Sequence, residues 1–174
     1  MKKQIVLPIL VLFCICLVIS AALAVTNQIT APIIEEAAAK AAEEARLQVM
    51  PQASDGFEKL EVSGLPETVT EVYRAKNGAG YVFMLAAKGY GGTMQLICGI
   101  DDSGSITACR TLSHSETASL GSKTAEPAFR DQFAGQDETL SGVSAITGAT
   151  ISSKAYIGAI QDAFTAFQLV KEVA

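Results

Sequence analysis

Tryptophan is absent from this chain of 174 residues, histidine occurs once, and only four cysteines are present. A lone histidine, His114, excludes a His-rich metal centre. The cysteines at positions 14, 16, 98 and 109 contain no C-x-x-C pair, which excludes a zinc ribbon or an all-cysteine iron–sulfur cluster. Redox chemistry in such a chain needs a borrowed cofactor. The length allows one domain. The hydrophobic fraction of 49% is ordinary as an average, so the information lies in how apolar residues and charges are distributed.

Charge is missing altogether from Ile5 to Val25. These residues span roughly 30 Å as a helix, one bilayer crossing. Lys2 and Lys3 precede the run and all 18 acidic residues follow it. The positive-inside bias therefore places the N-terminus in the cytoplasm and the rest outside, as a single-pass protein of the cytoplasmic (inner) membrane. Eleven basic against 18 acidic residues leave the exported part at −7, which argues against nucleic-acid binding and offers no polybasic patch for anionic lipid. The alternative is a cleaved signal peptide, for which Ala22-Leu23-Ala24 has the small-x-small form. The apolar run exceeds the usual signal core of ~7–15 residues, so a retained anchor is favoured. Cys14 and Cys16 read as small apolar residues buried in lipid.

The chain divides into an anchor (1–28), a helical stalk (29–52) and an extracytoplasmic domain (53–174). From Ala31 to Met50 the stalk is rich in Ala, Glu, Lys and Arg, with Glu36 and Lys40 in the favourable i,i+4 orientation, and reads as a solvated helix closed by Pro51. The period then changes. FEKLEV, VTEVYRAK, GYVFMLAAKGY, TMQLICGID and SITACRTL predict a five-strand antiparallel meander, separated by Gly, Asn, Asp and Ser. A turn centred on Asp102-Ser103 brings Cys98 and Cys109 close but diagonally offset, and leaves a disulfide between them an open alternative. Thr124 to Phe133 predicts a short helix with Phe129 and Phe133 on its core face. The last helix, about Ser153 to Val170, places Tyr156, Ile160, Ala163, Phe164, Phe167 and Val170 on one stripe. The class is α+β: anchor helix, stalk, antiparallel sheet and flanking helices.

Ser141 to Ser153, SGVSAITGATISS, is a cluster of hydroxyls and very small residues directly before that helix. Free amides and the positive end of the helix dipole suit a phosphate there, and Gly148 and Ala149 let a bulky anion approach. Ser152 or Ser153 as a simple N-cap accounts for part of the pattern without a ligand.

Thr147-Gly148-Ala149-Thr150 resembles the [ST]-G-A-T flavinylation motif of the FMN-binding domain family. Gly89-Tyr90-Gly91-Gly92 and His114-Ser115-Glu116-Thr117, followed by Leu120-Gly121, resemble that family's G-Y-x-G and H-x-E-T-x-x-L-G segments in the same order. With the single anchor, the chain resembles the G subunits of the Rnf ion-translocating electron-transport complexes. The resemblance implies one covalent FMN per chain, carried by Thr150 as a phosphoester, with Thr147, Gly148 and Ala149 positioning the phosphate and Leu120 and Gly121 packing on the ring. Lys123 is the positive group for the flavin phosphate or reduced ring, or else a solvated lysine. Glu116 either binds the ribityl chain or caps the short helix after it, and His114 is a loop hydrogen-bonding group. The implied partners are membrane and cluster-bearing subunits of the complex, with a flavin transferase for maturation.

Two positions depart from the family pattern. Ser144 stands where the motif usually has an acidic residue, and Ala118-Ser119 replace a Pro-Gly pair. Two other functions stay open: a related redox subunit of the sodium-pumping NADH:quinone reductase type or a stand-alone reductase, and an anchored binding module without a flavin.

Overall fold

The computed structural model describes residues 2–173. It falls into two units, Met1–Ala42 and Glu43–Ala174. The first is helical, within α1 (Lys2–Val49). Among the described residues this is the one helix long and apolar enough to cross a membrane, with a mean hydropathy of 2.9 in its most apolar window. Its large apolar side chains from Ile9 to Val25 are exposed, as are Cys14 and Cys16. Where polar residues resume, the hydroxyls of Thr26 and Thr30 donate to the carbonyls of Ala22 and Thr26, both at 2.9 Å, so neither is left unpaired along the helix.

The second unit is built on five antiparallel strands in chain order: β1 (Phe57–Leu60), β2 (Val69–Ala75), β3 (Gly80–Lys88), β4 (Thr93–Asp101) and β5 (Ile106–Ser113). This is the meander expected from the alternating runs. One face of the sheet packs on α3 (Thr150–Val173), through Tyr156, Ile160, Ala163, Phe164, Phe167 and Val170 against Val72, Phe83, Leu85, Leu96 and Ile100. The other face is covered by the end of α1 and the turn after it, where Ala45, Val49, Met50 and Ala53 meet Ala75, Val82 and Ile97. The stalk is therefore not solvated to its end. Its last turn is core, and the Val49 carbonyl accepts a hydrogen bond from the Thr107 hydroxyl on β5.

Three local readings need correction. The segment from Thr124 to Phe133 is not one helix: a 3-10 turn (Gly121–Ala125) is followed by α2 (Pro127–Arg130) and a second 3-10 turn (Asp131–Phe133). Glu126 is extended at ψ 150°, as a residue before proline must be, and interrupts the helical path. Phe129 and Phe133 are buried all the same, and with Tyr156 they form a three-ring cluster with centroids 5.1–5.5 Å apart. The last helix begins at Thr150, three residues earlier than expected.

The third correction concerns the β4–β5 register. Asp101 N–H donates to Ser105 O at 2.9 Å, which makes the loop longer than a two-residue turn. The Asp101 carboxylate accepts from the amides of Ser103 and Ser105, and Gly104 takes the positive φ of 87° that closes the loop. A bulge then pairs Ile100 with Ile106 but Gly99 with Ala108. Cys98 and Cys109 end directly opposite, as free thiols.

Candidate functional site

The TGAT segment folds as a turn that feeds a helix. Ala149 N–H donates to Ile146 O at 3.0 Å, and Gly148 sits at the third turn position with φ 83°, as a type II turn demands. Thr150 is the first residue of α3, and the first bond into the helix is Ser153 N–H to Ala149 O at 2.9 Å. The amides of Thr150, Ile151 and Ser152 thus have no helical acceptor and stand at the positive end of the dipole. Neither serine is the N-cap. Ser153 Oγ turns back to accept the Ile146 amide at 3.1 Å, bracing the turn, while Ser152 Oγ donates to Glu116 Oε2 at 2.6 Å.

Around this helix start lies a cleft of about 380 Å³, within the usual range for a small-molecule site. Gly148, Ala149, Thr150, Ile151 and Ser152 form one wall; Tyr90, Glu116, Thr117, Leu120 and Gly121 form the other. The three segments singled out in the sequence, Gly89–Gly92, His114–Gly121 and Thr147–Thr150, therefore meet at one place. Thr150 is exposed at the cleft, and beside it Tyr90, Leu120 and Ile151 are 73%, 47% and 58% exposed. An apolar rim beside a run of free amides suits a ligand with a flat apolar ring and an anionic tail.

Not every residue named from the sequence faces this cleft. Lys123 is exposed and lines a second, smaller cavity of about 160 Å³ with Glu126, Gln132 and Ile146. Thr147 is exposed in the turn but is not among the lining residues. Glu116 caps no part of α2, since both its oxygens are engaged elsewhere, on Gly91 N–H at 3.0 Å and on the Ser152 hydroxyl. His114 Nδ1 accepts the Glu116 amide at 3.2 Å, a loop-shaping bond. At Ser144 the backbone amide donates to Gln132 Oε1 at 3.0 Å, which ties the approach to the TGAT turn to the segment after α2. Tyr90, Thr117, Ile151 and Ser152 were not singled out from the sequence as cleft residues. The sequence offers Ser152 as a candidate N-cap; its place two residues past Thr150 is what brings it, through the free first turn of the helix, onto the cleft wall.

The cleft defines the chain as a small-molecule-binding domain, with a helix start for an anion and an apolar rim for a ring. Residues 89–165 match the family model of the FMN-binding domain. Over 91% of its length the chain is 33% identical to the G subunit of the Na(+)-translocating ferredoxin:NAD(+) oxidoreductase complex of Acetobacterium woodii, covering 89% of that protein. It is 35% identical over 93% of its length to the G subunit of the ion-translocating oxidoreductase complex of Methanosarcina acetivorans, covering 94% of it. The proton-translocating counterpart from Clostridium ljungdahlii is 27% identical over 85% of the chain, covering 83% of that protein. The chain belongs to the family of G subunits of the ion-translocating oxidoreductase complexes.

Proposed function

We propose that this chain is the FMN-carrying, membrane-anchored electron-transfer subunit of an ion-translocating ferredoxin:NAD oxidoreductase complex of the Rnf type, and that its FMN is held covalently, one per chain, on Thr150. The observation that carries the reading is that Thr150, a hydroxyl-bearing residue, stands exposed at the start of α3 on the wall of the cleft. The residues present fit the group: the amides of Thr150, Ile151 and Ser152 suit its phosphate, and Tyr90, Leu120 and Ile151 suit its ring. When bound, FMN supplies the redox centre that the side chains of this chain lack.

The chain's own residues act by holding and exposing. Thr150 would serve once, as an acceptor: its oxygen would bond the flavin-side phosphorus of a flavin–nucleotide phosphoanhydride brought by a separate flavin transferase, while the P–O–P bond breaks, the nucleoside monophosphate leaves and the hydroxyl proton passes to a base of the transferase. The Ile146–Ala149 turn, held by Gly148 and braced by Ser153, fixes the backbone from which that oxygen projects. A covalent link answers a problem of sidedness. If the domain lies on the extracytoplasmic face, a dissociated cofactor is lost from its cytoplasmic supply. Membrane and cluster-bearing subunits are then the electron partners, because the sequence carries neither a nucleotide-binding loop nor cluster ligands.

The test is denaturing electrophoresis of the full chain coexpressed with a flavin transferase. The parent gives a fluorescent band and Thr150→Ala gives none. A band persisting in Thr150→Ala overturns the assigned attachment site.

A further inference from the structure

Glu116 is the one buried carboxylate at the cleft, 8% exposed among residues that are otherwise small, apolar or hydroxylic. Two segments distant in sequence, and the turn just after it, close around it. Its Oε1 accepts the Gly91 amide at 3.0 Å and its Oε2 the Ser152 hydroxyl at 2.6 Å, and Ser152 is itself 2% exposed. A Cβ added at Gly89 would overlap Oε1, and one added at Gly121 would overlap Oε2. At Gly91 a Cβ would come within 2.9 Å of the Glu116 Cα. Glycine at 89 and 121 leaves room for the carboxylate itself, and glycine at 91 for the Ser115–Glu116 backbone that carries it.

The charge itself is not neutralised by a cation. None of the ion pairs among the described residues includes Glu116, and Lys123 lines the other cavity. Two neutral donors hold the carboxylate in place without cancelling its field, and a partly desolvated site screens that field less than water does. A group in the cleft that gains negative charge on reduction would feel that field as repulsion.

We infer that Glu116 sets the reduction potential of the group bound in the cleft, holding it lower than the same site would without the charge. The inference rests on the flavin reading of the cleft and assigns the carboxylate an electrostatic task beyond bracing. A purely structural bracket and a tuning charge are separable, because Glu116→Gln removes the charge in nearly the same shape, whereas Ser152→Ala removes the 2.6 Å hydrogen bond and keeps the charge.

The experiment is a spectroelectrochemical titration of the flavin-loaded full chain, made with its transferase, for the parent, Glu116→Gln and Ser152→Ala. The expected result is a midpoint potential raised in Glu116→Gln by about tenfold in the two-electron equilibrium, or ~30 mV, and a much smaller change in Ser152→Ala. An unchanged potential in Glu116→Gln overturns the inference, as does an equal shift in both variants. Loss of fold or of flavin in Glu116→Gln overturns it too, since the carboxylate would then be holding the site and not tuning it. Failure of the underlying flavin reading shows separately, as a parent chain without a fluorescent band.

Discussion

The Sγ atoms of Cys98 and Cys109 lie 3.3 Å apart across the β4–β5 pair, both thiols buried in the core that α3 covers. Burial pushes the Cys109 thiol above its ordinary value, and the neighbouring Cys98 adds to the shift. The thiolate is the reactive form, so Cys109 is protected by both burial and suppressed ionisation, and Cys98 by burial. In the folded chain in detergent, iodoacetamide should leave Cys98 and Cys109 unmodified. In denaturant all four should react. Intact mass before and after unfolding checks this, and prompt labelling of four thiols in the folded state would contradict the burial.

Gly148→Ala separates space from conformation. A Cβ there has room, its nearest neighbour being Leu120 Cδ2 at 3.6 Å, but the backbone φ of 83° is one that alanine adopts at a cost. A loss of about 1 kcal/mol or more in stability is expected. Any relaxation of the turn displaces Thr150, so flavin loading should fall more than thermal stability does. Fluorescence per mole of chain, compared with the melting temperature, measures the two effects separately.

Much of this architecture is legible in residue pattern. The five strands follow from alternating apolar runs between turn residues, and the stripe from Tyr156 to Val170 identifies the buried face of α3. The β4–β5 register is not legible, because the loop length and the bulge after Ile106 are set by backbone geometry around Asp101 and Gly104 that the apolar alternation does not reveal. For the site, motif spacing leads to Thr150 and to the segments that meet there. It does not reveal that Glu116 meets Ser152, since that bond joins residues 36 apart in sequence and depends on how α3 docks. Lys123 shows the converse: nearness in sequence to Leu120 and Gly121 suggests a cleft residue, yet the 3-10 turn carries it to another cavity.

Ile160 and Ile151 on the same helix should behave oppositely. Ile160 is fully buried against the sheet, and Ile160→Ala should cost about 2–5 kcal/mol through lost burial and the cavity left behind. Ile151 is 58% exposed beside the cleft, so Ile151→Ser should leave stability within about 0.5 kcal/mol. Its effect should appear instead in flavin absorbance and in the accessibility of the flavin to external quenchers. Urea unfolding of both variants decides the first half of the contrast.

Asp101 makes the β4–β5 loop sensitive to acid. Burial alone would raise its carboxyl, but the Ser103 hydroxyl and the amides of Ser105, Ser103 and Gly104 together hold it below the ordinary carboxylate value. A folded value below the unfolded one means that its stabilisation is complete above the unfolded pKa of about 3.9 and is lost as pH falls through the folded value. Asp101→Asn should therefore lower stability at pH 7, and the difference should shrink progressively as pH falls below the unfolded value. Parallel thermal melts of parent and variant across that range test the sign, which a merely packing role would leave independent of pH.

The seat of the last turn of α1 rests on an absent side chain. At Gly99, toward the end of β4, an added Cβ would overlap the Thr107 hydroxyl oxygen and stand 2.8 Å from the Val49 carbonyl oxygen. Thr107 is the residue that donates to that carbonyl, so Gly99→Ala strikes both the close approach and the hydrogen bond that satisfies the helix end. The opposing backbone cannot swing aside as a flexible side chain would, because Val49 and Met50 are themselves fully buried against Val82 and Ile97. The expected loss is about 1–3 kcal/mol, the range for forcing extra atoms into a packed core. It should be accompanied by new proteolytic cleavage between Met50 and Gly56. Thr107→Val, which fills similar volume but removes the donor, should reproduce the cleavage with a smaller loss of stability. If Gly99→Ala melts with the parent and remains uncut, the end of α1 is not held at this point.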